Sequence, residues 1–362
     1  MLTPARPEEE CIVSTCGEWN SENPHFHGII RNIVNAIESA AINANIRIDM
    51  GDVNSFLLVI RSDHQGDLWI GTAAMIVNTI NRSGRTIHSG ECVSRNDIFD
   101  MLGVSFPAVR INKEDKIVFL QREGWRFSLF YDFNPSGNLD TANMERTIGR
   151  QLRTLKHFEL YETLGSEQQL NKVFMAGWFP FAEIIDGEFA DIYSTLNNGW
   201  EIDGVIDELI AKFSRERLDR LLFRWSHRPS FPNKEGILRE AIDGFLAGRP
   251  IATIKILSTE IEGILRDEHI HKFNKPEKLK NLMNFAVGQA ALKCGAGDTL
   301  HFPDLFQDYL KQCFAKHFDP MGGDAAADSR HAVAHGAAEQ DSYTMEQALK
   351  YILIVDQLYY YI

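Results

Sequence analysis

Trp125-Arg126-Phe127-Ser128-Leu129-Phe130-Tyr131-Asp132-Phe133, closed by Asn134-Pro135-Ser136-Gly137, sets the architecture of the first half of this chain. Its aromatic and aliphatic residues alternate along the chain, as on a strand, and the Asn-Pro-Ser-Gly run ends it as a turn. Two upstream runs read the same way. Ser55-Phe56-Leu57-Leu58-Val59-Ile60 and Lys116-Ile117-Val118-Phe119-Leu120 are rich in β-forming residues and bounded by charged or turn residues. Between Gly28 and Ala44, by contrast, Ile29, Ile33, Ile37, Ala40, Ala41 and Ala44 recur at helical spacing, which resumes from Thr141 to about Leu164. The pattern predicts an α+β fold class, with an N-terminal mixed α/β domain over residues 1–165 built on a mostly antiparallel sheet. Residues 1 to about 27 are polar and read as an arm carrying His25 and His27.

Beyond Gly165 the strand-like runs disappear and amphipathic stretches follow. Ile202 to Leu222 reads as one helix, and Ser226 to Asn233, with Pro229 and Pro232, as a break. Glu235–Leu246 and Ile251–Arg266 form a helical pair around the turn Gly248-Arg249-Pro250. Lys278–Lys293 and Phe302–His317 are further helices, the second stopped by Pro320-Met321-Gly322-Gly323. Asp324–His335 is expected to be helical and closed by Gly336. The last helix opens on a capping box, Thr344-Met345-Glu346-Gln347, and runs to Ile362. Residues 166–244 thus read as a helical connector and 245–362 as an all-α bundle.

Composition narrows the function classes. The net charge of −13 argues against a broad, non-specific nucleic-acid coat. The deficit is uneven: from Phe245 onward 12 Lys+Arg face 15 Asp+Glu, so residues 1–244 carry −10 of it. An anionic ligand is therefore expected in the C-terminal part, through few and local contacts. Cys11, Cys16, Cys92, Cys294 and Cys313 are scattered, which suits a reducing compartment better than a disulfide framework. Cys11 and Cys16 lack the second Cys/His pair of a zinc finger. The polar, acidic N-terminus does not resemble a signal peptide, and no apolar run approaches the roughly 20 residues that span a bilayer. A cytoplasmic protein without membrane contact is expected.

Chemistry concentrates in Ser329-Arg330-His331-Ala332-Val333-Ala334-His335-Gly336. A guanidinium binds phosphate oxygens in a fork, and histidine exchanges protons near neutral pH. On a helix, His331 and His335 share a face, whereas Arg330 and His335 lie about 140° apart at roughly 100° per residue. Convergence on one phosphate then needs the arginine to swing on its stem, the helix to end near His335, or a second copy of the chain. Two other readings compete. The arginine can be ion-paired and the histidines packed in a core, or the histidines can chelate a metal, although Ala332 stands where a metalloprotease helix has its Glu.

Placed between its neighbours, this segment resembles the end of a HEPN domain. The resemblance is carried by Ser329 to Gly336, by Tyr343-Thr344 and the run from Ala348 through Asp356 to Tyr360, and upstream by Ile237 to Ile242, Gly248-Arg249 and Ile261-Glu262-Gly263-Ile264-Leu265. It covers about residues 167–362, most clearly 235–362. HEPN resemblance implies an all-α HEPN-like bundle and a metal-independent endoribonuclease that takes no cofactor. It also implies a homodimeric site and a toxin–antitoxin or phage-defence role, with RNA and an antitoxin or other regulatory protein as partners. Cleavage would proceed by attack of the RNA 2′-hydroxyl. The same resemblance assigns proton transfer to His335, transition-state charge to Arg330, and an orienting or assisting role to His331. The alternative is a non-catalytic member that binds nucleotide, RNA or a protein.

The other candidates have plainer readings. His25/His27 and His269/His271 could share a face only on a strand and read as exposed loop pairs. Glu262 and Arg266 read as a surface ion pair, and Tyr359-Tyr360-Tyr361 as packing at a dimer interface rather than base stacking. No phosphate loop, nucleophile elbow or carboxylate cluster marks the N-terminal domain.

Overall fold

Alternation along the strands builds the first unit. The computed structural model describes residues 14–71, 75–81, 87–93, 97–294, 299–315, 330–334 and 336–362. Its elements begin with β1 (Cys16–Asn20), α1 (Phe26–Asn43), β2 (Phe56–Ile60) and β3 (Gly66–Ile70). β4 (Ile76–Asn81), β5 (Ile98–Ser105), β6 (Lys116–Glu123), β7 (Arg126–Asp132) and α2 (Thr141–Lys156) follow. Five strands form one sheet in the order β1-β7-β6-β2-β3, and β4 pairs with β5 separately. The recorded pairings of the large sheet are antiparallel, with Val118 opposite Leu58 on β2 and Tyr131 on β7. Leu57, Val59, Ile117, Phe119 and Phe130 bury one sheet face against Met144, Ile148 and Leu152 of α2. Their neighbours Phe56, Val118, Leu120, Leu129 and Tyr131 bury the other face with Phe26 and Ile37 of α1. The period of two thus splits each strand between two cores.

The expected arm is partly a strand. β1 pairs with β7 from Cys16↔Asp132 to Asn20↔Ser128. Its sequence, Cys-Gly-Glu-Trp-Asn, shows little β-propensity because it lies at a sheet edge and takes its hydrogen bonds from β7. His25 and His27 flank Phe26 at the start of α1, so they are not strand residues.

In the division of the chain, Met1–Ile80 with Met101–Phe158 makes one compact unit and Asn81–Asp100 with Glu159–Ile362 the other. The second is helical over most of its length: α3 (Phe158–Gly165), α4 (Glu167–Met175), α5 (Glu188–Asn197), α6 (Asp203–Lys212), α7 (Arg215–Trp225), α8 (Glu235–Leu246) and α9 (Pro250–Phe273) come first. α10 (Leu279–Cys294), α11 (Pro303–Tyr309), α12 (Arg330–Ala334) and α13 (Met345–Tyr361) follow. The helix expected over 202–222 is two, because the Ser214 hydroxyl accepts from the Arg217 amide and starts α7 afresh. The one expected over 141–164 is likewise interrupted, at His157. α9 runs seven residues past its expected end, so His269 and His271 are helical rather than in a loop. Beyond α11, Leu310–Phe314 widens into a π turn.

α13 occupies the middle of this unit. From Ala348 to Tyr361 every residue is buried, with α6, α7, α8, α9 and α10 packed around it. A helix apolar all round belongs in a core. Thr344 caps it by accepting from the Gln347 amide at 3.1 Å. Tyr359, Tyr360 and Tyr361 are buried inside this chain's own core rather than left for a dimer interface: Tyr361 meets Phe306, Tyr360 stacks on Phe99, and Tyr359 meets Phe231. Three buried polar residues of α13 are paired across the core. Lys350 donates to the Ala176 carbonyl oxygen, Gln357 accepts from the Ala182 amide, and Asp356 pairs with Arg224 at 2.6 Å.

One close approach in the first unit is testable. A Cβ on Gly149 of α2 would lie 2.5 Å from the Gly103 Cα of β5, whereas one on Gly28 of α1 meets nothing within 4 Å. Gly149→Ala is expected to cost about 1–3 kcal/mol by overpacking, and Gly28→Ala to add up to about 1 kcal/mol through helix propensity. Urea midpoints of the two variants read the difference; equal midpoints would refute the close contact.

Candidate functional site

Of Arg330, His331 and His335, Arg330 alone has its side chain among the described residues. His335 lies outside the described residues, and of His331 only the backbone, in α12, is described. Of the helix expected over Asp324–His335, Asp324–Ser329 and His335 lie outside the described residues, and Arg330–Ala334 is helical. Ala332 and Val333 are buried and the segment packs on α9. Gly336, at φ 70°, ends it: its amide donates to the Val333 carbonyl oxygen, and the Ala337 amide to that of Ala332. This is the Schellman arrangement, which favours glycine because a left-handed residue is required.

The half-buried guanidinium of Arg330 points at α9, where its Nη2 donates to Glu262 Oε2. The other carboxylate oxygen of Glu262 accepts from Arg266 one turn further on. Glu262 thus carries two arginines, and the pair expected at the surface is a three-member cluster. The Glu262 and Arg330 side chains are 14% and 19% exposed, against 44% for Arg266, so the inner contact is the better shielded one. Arg330 Nε is buried and has no hydrogen-bond partner among the described residues. Sequence reading assigned Glu262 only to Arg266; its place in the resembling segment Ile261 to Leu265 was the available signal.

Two other clusters invite comparison. His301 is buried against Phe99, Tyr360 and Tyr361, and burial, aided by the charge of Lys293, pushes its pKa down to about 3. It is neutral at pH 7 and sealed from solvent, so it packs rather than transfers protons. The second cluster joins Glu183, Arg217, Arg224 and Asp356. Arg217 grips Glu188 through two nitrogens at 2.6 and 2.8 Å and Glu183 at 2.9 Å, while Arg224 bridges Glu183 and Asp356 at 2.8 and 2.6 Å. Burial works against the Glu183 charge, but Arg224 and Arg217 outweigh it and hold the carboxyl below its ordinary value. At Asp356 burial wins, and the carboxyl lies above its ordinary value despite Arg224. These groups are taken up by one another, as in a structural network.

Among the described residues no three His, Cys, Asp or Glu side chains gather as metal ligands, and no helix is long and apolar enough to cross a membrane. Comparison with protein-family models, curated proteins and solved structures gives no match.

Two measurements check the Arg330 cluster and the His301 cluster. Glu262→Ala strands the half-buried Arg330 and is expected to cost about 1–3 kcal/mol, whereas Arg266→Ala should cost under about 1 kcal/mol; equal losses would contradict the ranking. His301 has a folded pKa below its unfolded value of about 6.5, so the unfolded chain binds the extra proton. Its contribution is present in full above about pH 6.5 and is lost as pH falls toward about 3, at up to about 1.4 kcal/mol per pH unit. His301→Gln should flatten the acid limb of stability between pH 6 and 4 relative to the parent chain.

Proposed function

We propose that this protein is a metal-independent endoribonuclease of the HEPN type, acting as a homodimer in a toxin or phage-defence setting. The observation that carries this reading is the seating of Arg330. A guanidinium at the start of the Arg-x4-His segment is fixed by Glu262 on the packed helix α9, and its Nε is unpartnered among the described residues. A preorganised cation suits a charge that develops only in the transition state.

In this mechanism the RNA 2′-hydroxyl attacks the adjacent phosphorus. The O2′–P bond forms as the bond to the 5′-oxygen breaks; the hydroxyl proton goes to a base, and the departing 5′-oxygen receives one. The products are a 2′,3′-cyclic phosphate and a 5′-hydroxyl. His335 is assigned proton transfer, for which a pKa near neutrality is best matched. Arg330 braces the non-bridging oxygens, and His331 orients or assists. Glu262 positions Arg330. Two copies of the segment facing one another across a two-fold axis would supply both a base and an acid, and an antitoxin or regulatory protein would act by covering them. The second reading, a non-catalytic module that binds nucleotide, RNA or protein, is favoured by one observation: Glu262 already neutralises much of the Arg330 charge.

The test is RNA cleavage in excess EDTA by the parent chain and by Arg330→Ala and His335→Ala. Cleavage leaving cyclic phosphate ends is expected, with each variant slower by about 10²–10⁴-fold. A parent chain that cuts nothing, or variants that cut equally well, would sink the nuclease reading.

A further inference from the structure

The most basic stretch near the candidate site is the turn that follows α9. From His269 to Lys280 the chain holds Lys272, Lys275, Lys278 and Lys280 against one acid, Glu277, in a protein of net charge −13. All four lysines are exposed. Asn274, in the left-handed conformation at φ 52°, ends α9 and turns the chain toward α10. The turn is pinned from within: the His269 ring donates from Nδ1 to the Lys275 carbonyl oxygen at 2.7 Å and lies 4.9 and 5.1 Å from the Phe273 and Phe285 rings. Phe273 itself is 54% exposed, with the Lys272 ammonium 6.0 Å from its ring centroid. An aromatic ring this open, in a turn that carries four exposed lysines, lacks the burial that accounts for an aromatic residue in a core.

Helical geometry connects this turn to Arg330. Glu262, Arg266, His269 and Phe273 fall at steps of four, three and four residues, which keeps them on one face of α9. The distance from Glu262 to Phe273 along the axis is about 16 Å at 1.5 Å per residue. One helix face thus leads from the carboxylate that holds Arg330, past the half-exposed Arg266, to the exposed ring and the lysines. Of the acids nearby, Asp267 is engaged by Lys234, Glu268 by Ser230, and Glu277 by Lys275.

We infer that this face of α9 and the turn after it form a track for single-stranded RNA, in which Phe273 stacks on a base and Lys275, Lys278 and Lys280 hold the phosphates of the strand leading to Arg330. The inference deepens the ribonuclease reading and rests on it for the end of the track at Arg330. Exposed rings interleaved with ammonium groups are how proteins hold single strands, since every base has a stackable face and every linkage a charge. A duplex offers no free base to Phe273.

The test separates binding from cleavage. A fluorescein-labelled 2′-O-methyl oligouridylate has no nucleophilic 2′-hydroxyl, so its binding to the full chain is independent of any chemistry. The triple variant Lys275→Ala/Lys278→Ala/Lys280→Ala is expected to bind at least about tenfold more weakly, with a salt slope smaller by about 2, at about 0.7 for each phosphate contact on a single strand. Phe273→Ala should lose about tenfold with the slope unchanged, as expected for lost stacking. Both variants should cleave a dinucleotide, too short for the track, at the parent rate while their KM for long RNA rises. A parent chain that does not bind the oligonucleotide, or variants that bind it as well as the parent does, overturn the track. So does polyglutamate bound as tightly as RNA through the same lysines, which would assign the patch to an acidic protein. Lysine-dependent binding without any cleavage keeps the track and refutes the nuclease reading; cleavage with unchanged binding does the reverse.

Discussion

The carboxylate of Asp356 sits inside a helix buried on every side, and its ion pair with Arg224 is the contact around which the second unit is arranged. Apolar residues make α13 favourable to bury, but they do not say where along its length each neighbour should sit, because one Leu or Ile serves nearly as well as the next. A buried carboxylate does, since a shifted register would leave it without a partner. Asp356 takes Arg224 and the Trp225 indole from α7, Gln357 takes the Ala182 amide, and Lys350 the Ala176 carbonyl oxygen. Arg224 then extends the pairing to Glu183, and Arg217 to Glu188. Three polar positions on one helix thus set its alignment with the segments around it.

From that frame the candidate site is assembled outward. α13 packs on α9, α9 presents Glu262, and Glu262 holds Arg330. The helical segment Arg330–Ala334 packs on α9. Burial of Ala332 and Val333, the Gly336 stop and the Glu262 contact hold it in place. The direction of the Arg330 guanidinium is consequently a property of the bundle and not of the motif.

The strands at Ser55–Ile60, Lys116–Leu120 and Trp125–Phe133 and the helix at Gly28–Ala44 were readable because each buries side chains at its own period. β1 was not, because an edge strand takes its order from the neighbour to which it hydrogen-bonds. The break at Ser214 was missed because apolar spacing continues across it while a single hydroxyl restarts the helix. Tyr359 to Tyr361 read as packing at a dimer interface, but this chain's own core closes over them, because residues far away in sequence, among them Phe99, Phe231 and Phe306, supply the rings they meet.

Periodicity and turn chemistry were enough to divide this chain into an α+β part and a helical part and to single out the Arg330 segment, since both depend on residues close together in sequence. Folding decided which charge meets which. Glu262 and Arg330 are 68 positions apart, and Arg224 and Asp356 are 132. An ion pair across such a separation forms only where packed helices bring the groups together and exclude the water that would otherwise screen them.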